Sequence, residues 1–193
     1  MNGAGLVFLV ILSLAFIYAV FTYNRLVGFK HGVAKAWSNI DVLLKQRHDE
    51  LPKLVEACRQ YMKFEQYTLE KGMQARNRVS QARERHDVSA LGEAEETLRM
   101  GLGHLFAVAE AYPELKANES YSHLKARITG LEEAIADRRE FYNDSVNLNN
   151  VAIERFPEVI VALLTGFGPH RLLEFTARET SDINISTLFK MKR

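Results

Sequence analysis

The chain has 193 residues, a formal net charge of +1 and a single cysteine. That balance offers no basic field for nucleic acid, and one cysteine excludes an intramolecular disulfide. The four prolines stand at 52, 113, 157 and 169. The long stretches between them are filled with Ala, Leu, Glu, Lys, Gln and Arg, which are strong helix formers, so the fold is read as all-α.

The first element is an uncharged run of 19 residues, Gly5 to Tyr23. As a helix rising about 1.5 Å per residue it reaches roughly 28 Å, enough to cross the hydrocarbon core of a bilayer. No charged side chain precedes it, and Arg25, Lys30 and Lys35 follow closely. A cleaved secretory signal has basic residues ahead of a shorter apolar stretch and a small-x-small cleavage site. This run has no such lead and ends in Phe21, Thr22 and Tyr23, so residues 1–24 read as a retained anchor held in membrane lipid through residues 5–23. The basic residues after it place the N-terminus outside and the following domain in the cytoplasm. Tyr18 and Tyr23 lie at interface depth. Ala15 and Ala19 form a small-xxx-small pair through which two anchors can approach.

After the anchor roughly 170 residues remain, enough for one domain with its own core, assigned to residues 25–168 with a C-terminal tail at 169–193. An apolar stripe runs through Val33, Trp37, Ile40, Leu44, Leu51, Leu54, Cys58, Tyr61 and Leu69 at spacings near three and four, the pattern of a helix seated on partners. Pro52 interrupts the stripe chemically, because proline cannot donate to the carbonyl of His48. The retained phase favours a helix kinked near Asp49–Pro52; the alternative is a helical hairpin with Asp49 as N-cap and Pro52 in the first turn. The polar run Ala82–Asp87 reads as a turn in which Asp87 caps the next helix. That helix carries Leu91, Leu98, Leu102, Leu105 and Ala109 on one side and stops at Tyr112-Pro113, with Gly92, Gly101 and Gly103 allowing a neighbouring helix to come close.

A link over Glu114–Ala117 leads to Asn118 as the next N-cap. The last long helix runs from about Glu119 to Arg155, with Leu124, Ile128, Leu131, Ile135, Tyr142, Val146 and Ile153 inward. A short apolar helix, Glu158–Leu164, and a breaker, Thr165 to Pro169, follow. The segment Val159–Leu164 is too short to span a membrane; it is core or, alternatively, a membrane-surface or subunit contact. The architecture expected is an N-terminal transmembrane helix continuing into an elongated antiparallel bundle of three to four long helices with a short C-terminal helix.

No phosphate-binding glycine motif, no HExxH and no metal-spaced pair of Cys or His is present, and the serines lack a nucleophile-elbow context. No cofactor or metal is therefore expected. Cys58 reads as a small core residue. Glu132, Arg139, Asn143 and Asn150 share the inward face of the last long helix and must find partners there. One reading is a structural polar network that also takes in Arg47, Asp49, Glu65 and Arg76 and fixes helix register. The other is a ligand-binding or enzymatic site around Glu132, Arg139 and Asn143, near Tyr142.

These features together resemble the LemA family of bacterial membrane proteins. The residues that carry the resemblance begin with Tyr23 to Val27, Ala36 to Val42, Leu44-Lys45 and Arg47-His48-Asp49. Leu51-Pro52, Leu54-Val55, Ala75-Arg76 and Tyr112 to Asn118 follow. Leu131-Glu132, Ile135, Arg139, Tyr142-Asn143, Val146, Asn150, Phe156-Pro157 and Gly166-Phe167 complete the set. Gln46, Glu50, Lys53, Asn149 and Leu172-Leu173-Glu174 depart from the family's usual residues. The resemblance implies a bacterial cytoplasmic (inner) membrane anchor, a cytosolic helical domain and no established enzymatic activity; some relatives are organelle-associated or occur beside membrane zinc proteases. The function expected is a non-enzymatic membrane-anchored scaffold that forms a homo-oligomer or supports another membrane protein, a membrane protease among the options. A transmembrane sensor ranks behind it, because only a few residues precede the anchor.

Overall fold

The computed structural model describes residues 3–174. The order of elements is α1 (Gly3–Arg59), α2 (Gln66–Glu84), α3 (Val88–Ala109), α4 (Pro113–Lys116), α5 (Glu119–Glu154) and α6 (Glu158–Thr165). No strand occurs among the described residues, and the protein is an all-α helical bundle with a long apolar N-terminal helix. Residues 175–193 of the expected C-terminal tail lie outside the described residues.

The hairpin considered at Pro52 does not form. The proline lies inside α1, which continues to Arg59, and the chain turns instead between Arg59 and Gln66. That turn has neither glycine nor proline. It closes because the Tyr61 and Met62 N–H groups both donate to the carbonyl of Cys58, at 3.0 and 2.8 Å, while the Met62 side chain is fully buried. Leu69 therefore belongs to α2 and not to the stripe of the first helix.

Two compact units are present. One takes the chain up to Arg47 and again from Thr129 to Leu172. In it Leu26, Val33, Ala36, Ile40 and Leu44 of α1 are buried, as are Ile135, Tyr142, Val146, Ala152 and Ile153 of α5. Trp37 meets Tyr142 edge-on at 5.6 Å between ring centres. Just beyond the uncharged run, Leu26, Ala152, Ile153 and Ala162 form one apolar cluster with Phe29, Val161 and Phe167 packed against it. Each fully buried leucine of this kind contributes about 1.5–3 kcal/mol.

The other unit takes His48 to Ile128 and Leu173 onward. Leu51, Leu54 and Cys58 of α1 are buried here with Leu69 and Val79 of α2, and with Leu91, Leu98, Leu102 and Leu105 of α3. Helices α2 and α3 pack along each other. Their joint follows the expected turn: His86 takes a left-handed φ of 53°, and the Asp87 carboxylate accepts the N–H of Ala90 at 3.1 Å. The link after Tyr112 is a short helical turn, α4, and Asn118 caps α5 by accepting the N–H of Tyr121 at 3.0 Å.

Of the three glycines of α3, Gly92 alone meets another segment closely. A Cβ there would lie 3.2 Å from the carbonyl oxygen of Glu174, whereas Gly101 and Gly103 face open space. The close neighbour is the irregular segment at Leu173-Glu174 and not a helix. Gly101→Ala and Gly103→Ala are each expected to raise stability by up to about 1 kcal/mol. Gly92→Ala is expected to gain less or to lose, because the Glu174 carbonyl must move. Thermal melts of the detergent-solubilised protein check the order.

Candidate functional site

Of the eight polar residues singled out in the sequence, Arg47, Glu132, Arg139, Asn143 and Asn150 belong to the first unit and Asp49, Glu65 and Arg76 to the second. In the first unit, Arg47 Nη1 donates to Glu132 Oε1 at 2.6 Å, and the Arg47 side chain is 1% exposed against 22% for Glu132. This pair ties α1 to α5 inside that unit. Arg139 is buried and Asn143 half-buried, one turn apart on α5. Asn150 does something different. Its Nδ2 donates to the carbonyl of His170 and its Oδ1 accepts the N–H of His170, both at 2.9 Å. Tyr142 adds a donor to the Arg171 carbonyl at 3.0 Å, and burial raises the Tyr142 hydroxyl pKa above its ordinary value. Asn149 Nδ2 reaches the Gly168 carbonyl at 3.4 Å. The segment after α6 is thus laced to α5 by side chains.

In the second unit, Arg76 occupies the position that Pro52 creates. Proline leaves the carbonyl four residues earlier without its helical donor, and that carbonyl belongs to His48. Arg76 Nε donates to it at 2.9 Å. Partial burial lowers the Arg76 pKa, and the nearby Asp49 carboxylate opposes that shift. Asp49 itself is exposed, and Glu65 stands at the N-cap of α2 without a side-chain capping bond.

Sequence reasoning missed Glu50 as a site residue. It is buried, 3.2 Å from Arg127 Nε and 3.4 Å from Lys53 Nζ. Its position on the Leu44–Leu51–Leu54 face was the available signal. Glu158 was also missed: buried at the start of α6, it accepts from Arg25 Nη2 at 3.2 Å.

Several clefts are lined by described residues, and three of them are well defined. One of about 780 Å³ runs beside Arg59, Met62 and Gln66, a second of about 390 Å³ lies between Tyr67, Lys71 and His104, and a third of about 190 Å³ lies at Lys30, Asn149 and Phe167. None of the three is lined by Glu132, Arg139 or Asn143. Among the described residues no group of three or more His, Cys, Asp or Glu is placed to hold a metal ion. Cys58 is buried, and desolvation pushes its thiol up to about 11, so it is a protonated core residue at neutral pH.

The apolar side chains at the start of α1 behave differently from those of the core. From Leu6 to Phe21 the large apolar residues stand 44 to 71% exposed, which sets this stretch apart from a buried helix of a soluble protein. The stretch is long and apolar enough to cross a membrane. Ala15 is exposed and Ala19 half-buried.

The LemA family profile matches residues 36–186, well over half of the sequence. The chain belongs to the LemA family. It is also 35% identical over 86 residues to magnetosome protein MamQ of Magnetospirillum gryphiswaldense, a match over 45% of this chain and 31% of that protein. MamQ 2 and MamQ 1 of Paramagnetospirillum magneticum are each 38% identical over 66 residues, 34% of this chain and 24% of theirs. The chain thus matches a third or less of the length of these relatives. Family, relatives and apolar helix together describe a membrane-associated helical protein.

Removing the Arg76 guanidinium with Arg76→Met is expected to cost about 2 kcal/mol, since it strips a charged donor from a backbone carbonyl. In a Pro52→Ala background the loss should shrink by about 1 kcal/mol or more, because residue 52 regains its own N–H. Denaturant melts of the four proteins measure that coupling.

His48 gives a pH dependence. Its Nδ1 is buried without a hydrogen-bond partner, and desolvation, then the Arg76 charge, lower its pKa from 6.5. The unfolded chain takes up the proton first as pH falls, so this contribution to stability is complete above 6.5 and declines below it, down to the folded-state pKa. His48→Asn should flatten the fall in melting temperature just below that pH relative to the parent.

Proposed function

We propose that this chain is a single-pass, membrane-anchored helical scaffold without enzymatic activity, which works by assembling with copies of itself. Residues 5–23 cross the bacterial cytoplasmic membrane, with the N-terminus outside and the helical domain in the cytoplasm. The observation that carries this reading is the change of character along α1. One helix is apolar and exposed up to Phe21, then turns Leu26, Val33, Ala36 and Ile40 into a packed core. Such a helix fixes a folded domain to a bilayer without a flexible linker between them.

The basic residues Arg25, Lys30 and Lys35 support the orientation. The relatives are themselves named as magnetosome proteins, in keeping with an organising role at a membrane. Ala15, exposed on the anchor, and Ala19 one turn later supply the flat surface on which a second copy would pack. A membrane protease or another membrane protein is the alternative partner for the same surface.

Ala15→Cys in native membranes should form disulfide-linked dimers on mild oxidation, and Phe16→Cys should form far fewer. Buried, protonated Cys58 serves as a silent background. Ala15→Leu should lower the dimer fraction seen by chemical cross-linking. A strictly monomeric protein that cross-links to no partner would overturn the scaffold reading.

A further inference from the structure

Helix α6 has an apolar residue at every position from Val159 to Leu164, yet only one side of it is used by the fold. Glu158 and Ala162, one turn apart, face inward and are buried. Ile160, Leu163 and Leu164, at the spacing that shares a helix face, stand 50, 78 and 82% exposed. Phe156, just before the helix, is 77% exposed. A short helix that is apolar all round belongs in an apolar surrounding on both sides, and this chain covers one side only.

The position of α6 says what covers the other. Ala162 and Val161 pack on the cluster around Leu26, three residues or about 4.5 Å of helix past the end of the uncharged run. Phe167, just after α6, meets Tyr23, the last residue of that run, edge-on at 5.8 Å. On α1, burial begins still earlier, at half-buried Ala19 and buried Thr22. Part of the folded chain therefore reaches alongside the last turns of the anchor. Arg25, Lys30 and Arg155 surround this end; of the carboxylates Glu154 and Glu158 beside them, Glu158 is buried and bonded to Arg25. Lys30 Nζ lies 5.9 Å from the centre of the Phe167 ring.

We propose that α6 is a membrane-interface helix. Ile160, Leu163 and Leu164, with Phe156, dip into the headgroup–acyl boundary of the bilayer that residues 5–23 cross, and Arg25, Lys30 and Arg155 meet anionic headgroups there. This rests on the reading of residues 5–23 as a membrane span. Interfacial helices bury their apolar face about 5–10 Å into that boundary, which matches a helix docked within one turn of the end of the span. The lipid surface is chosen over a second copy of the chain because the exposed face belongs to a helix whose Ala162 packs at Leu26 and whose neighbour Phe167 packs at Tyr23, at the end of the lipid-facing run.

The test uses the full chain in vesicles of phosphatidylethanolamine and phosphatidylglycerol, labelled with an environment-sensitive fluorophore at Leu163→Cys, Ile11→Cys or Lys45→Cys. Lipids carrying a nitroxide near the headgroup should quench most of the emission at 163, and those with a nitroxide deep in the acyl chain should quench the label at 11. The label at 45 should respond to neither and should remain open to a water-soluble quencher. Quenching at 11 with a water-accessible label at 163 overturns the interfacial helix and leaves the anchor intact. A label at 163 shielded from both water and lipid also overturns it, by placing protein on that face. Absence of quenching at 11 refutes the membrane span itself. Leu164→Cys, read in the same way, guards against a local effect of the first substitution.

Discussion

A single carbonyl oxygen, that of His48, governs how the first helix can continue. Pro52 withholds the donor that an α-helix would supply, and an orphaned backbone acceptor costs about 1–3 kcal/mol when water cannot reach it. Arg76, on the next helix, supplies the donor from outside. The proline is thereby tolerated in the interior of α1, and α2 is fixed in register against the turn of α1 that the proline weakened. Arg47-His48-Asp49, Leu51-Pro52 and Ala75-Arg76 all belong to the residues that carry the LemA likeness. Their juxtaposition gives that likeness a physical content: the proline and the arginine are two halves of one contact.

At the other end of α1 the constraint is solvent and not hydrogen bonding. The helix carries no charge up to Tyr23, then presents alternately basic and buried positions: Arg25 outward, Leu26 inward, Lys30 outward, Val33 inward. The exposed apolar run and the packed core are therefore successive stretches of one helix, and α6 packs where the two meet.

Much of this was legible in the sequence. The apolar stripes, the caps at Asp87 and Asn118 and the stops at Tyr112-Pro113 and Phe156-Pro157 follow from local chemistry, and the helices begin and end close to them. The turn after Arg59 was not legible, because Tyr61 to Glu65 contains no breaker and the stripe keeps its phase across it. Burial of Met62 and double use of the Cys58 carbonyl decide it, and both depend on tertiary packing. The polar residues were visible as a set but not as pairs. Arg47 and Glu132 meet across 85 positions of sequence, and Arg76 finds a backbone atom, which no side-chain pattern announces. Glu50 and Lys53 looked like separate departures from the family's pattern; they contact each other, and Arg127 brings a second cation to the same carboxylate.

The pairing of Asn150 with His170 has a consequence of its own. A carboxamide is a peptide group on a short tether, and here it satisfies both the N–H and the C=O of one residue, as a neighbouring strand would. The chain after α6 obtains strand-like support without any sheet. The clamp is also electrically neutral: neither the amide nor the backbone it holds changes charge with pH, and counter-ions have no net charge to screen. Of the contacts that close the first unit, Arg25–Glu158 and Arg47–Glu132 depend on opposite charges, whereas the Asn150 clamp holds by neutral groups alone.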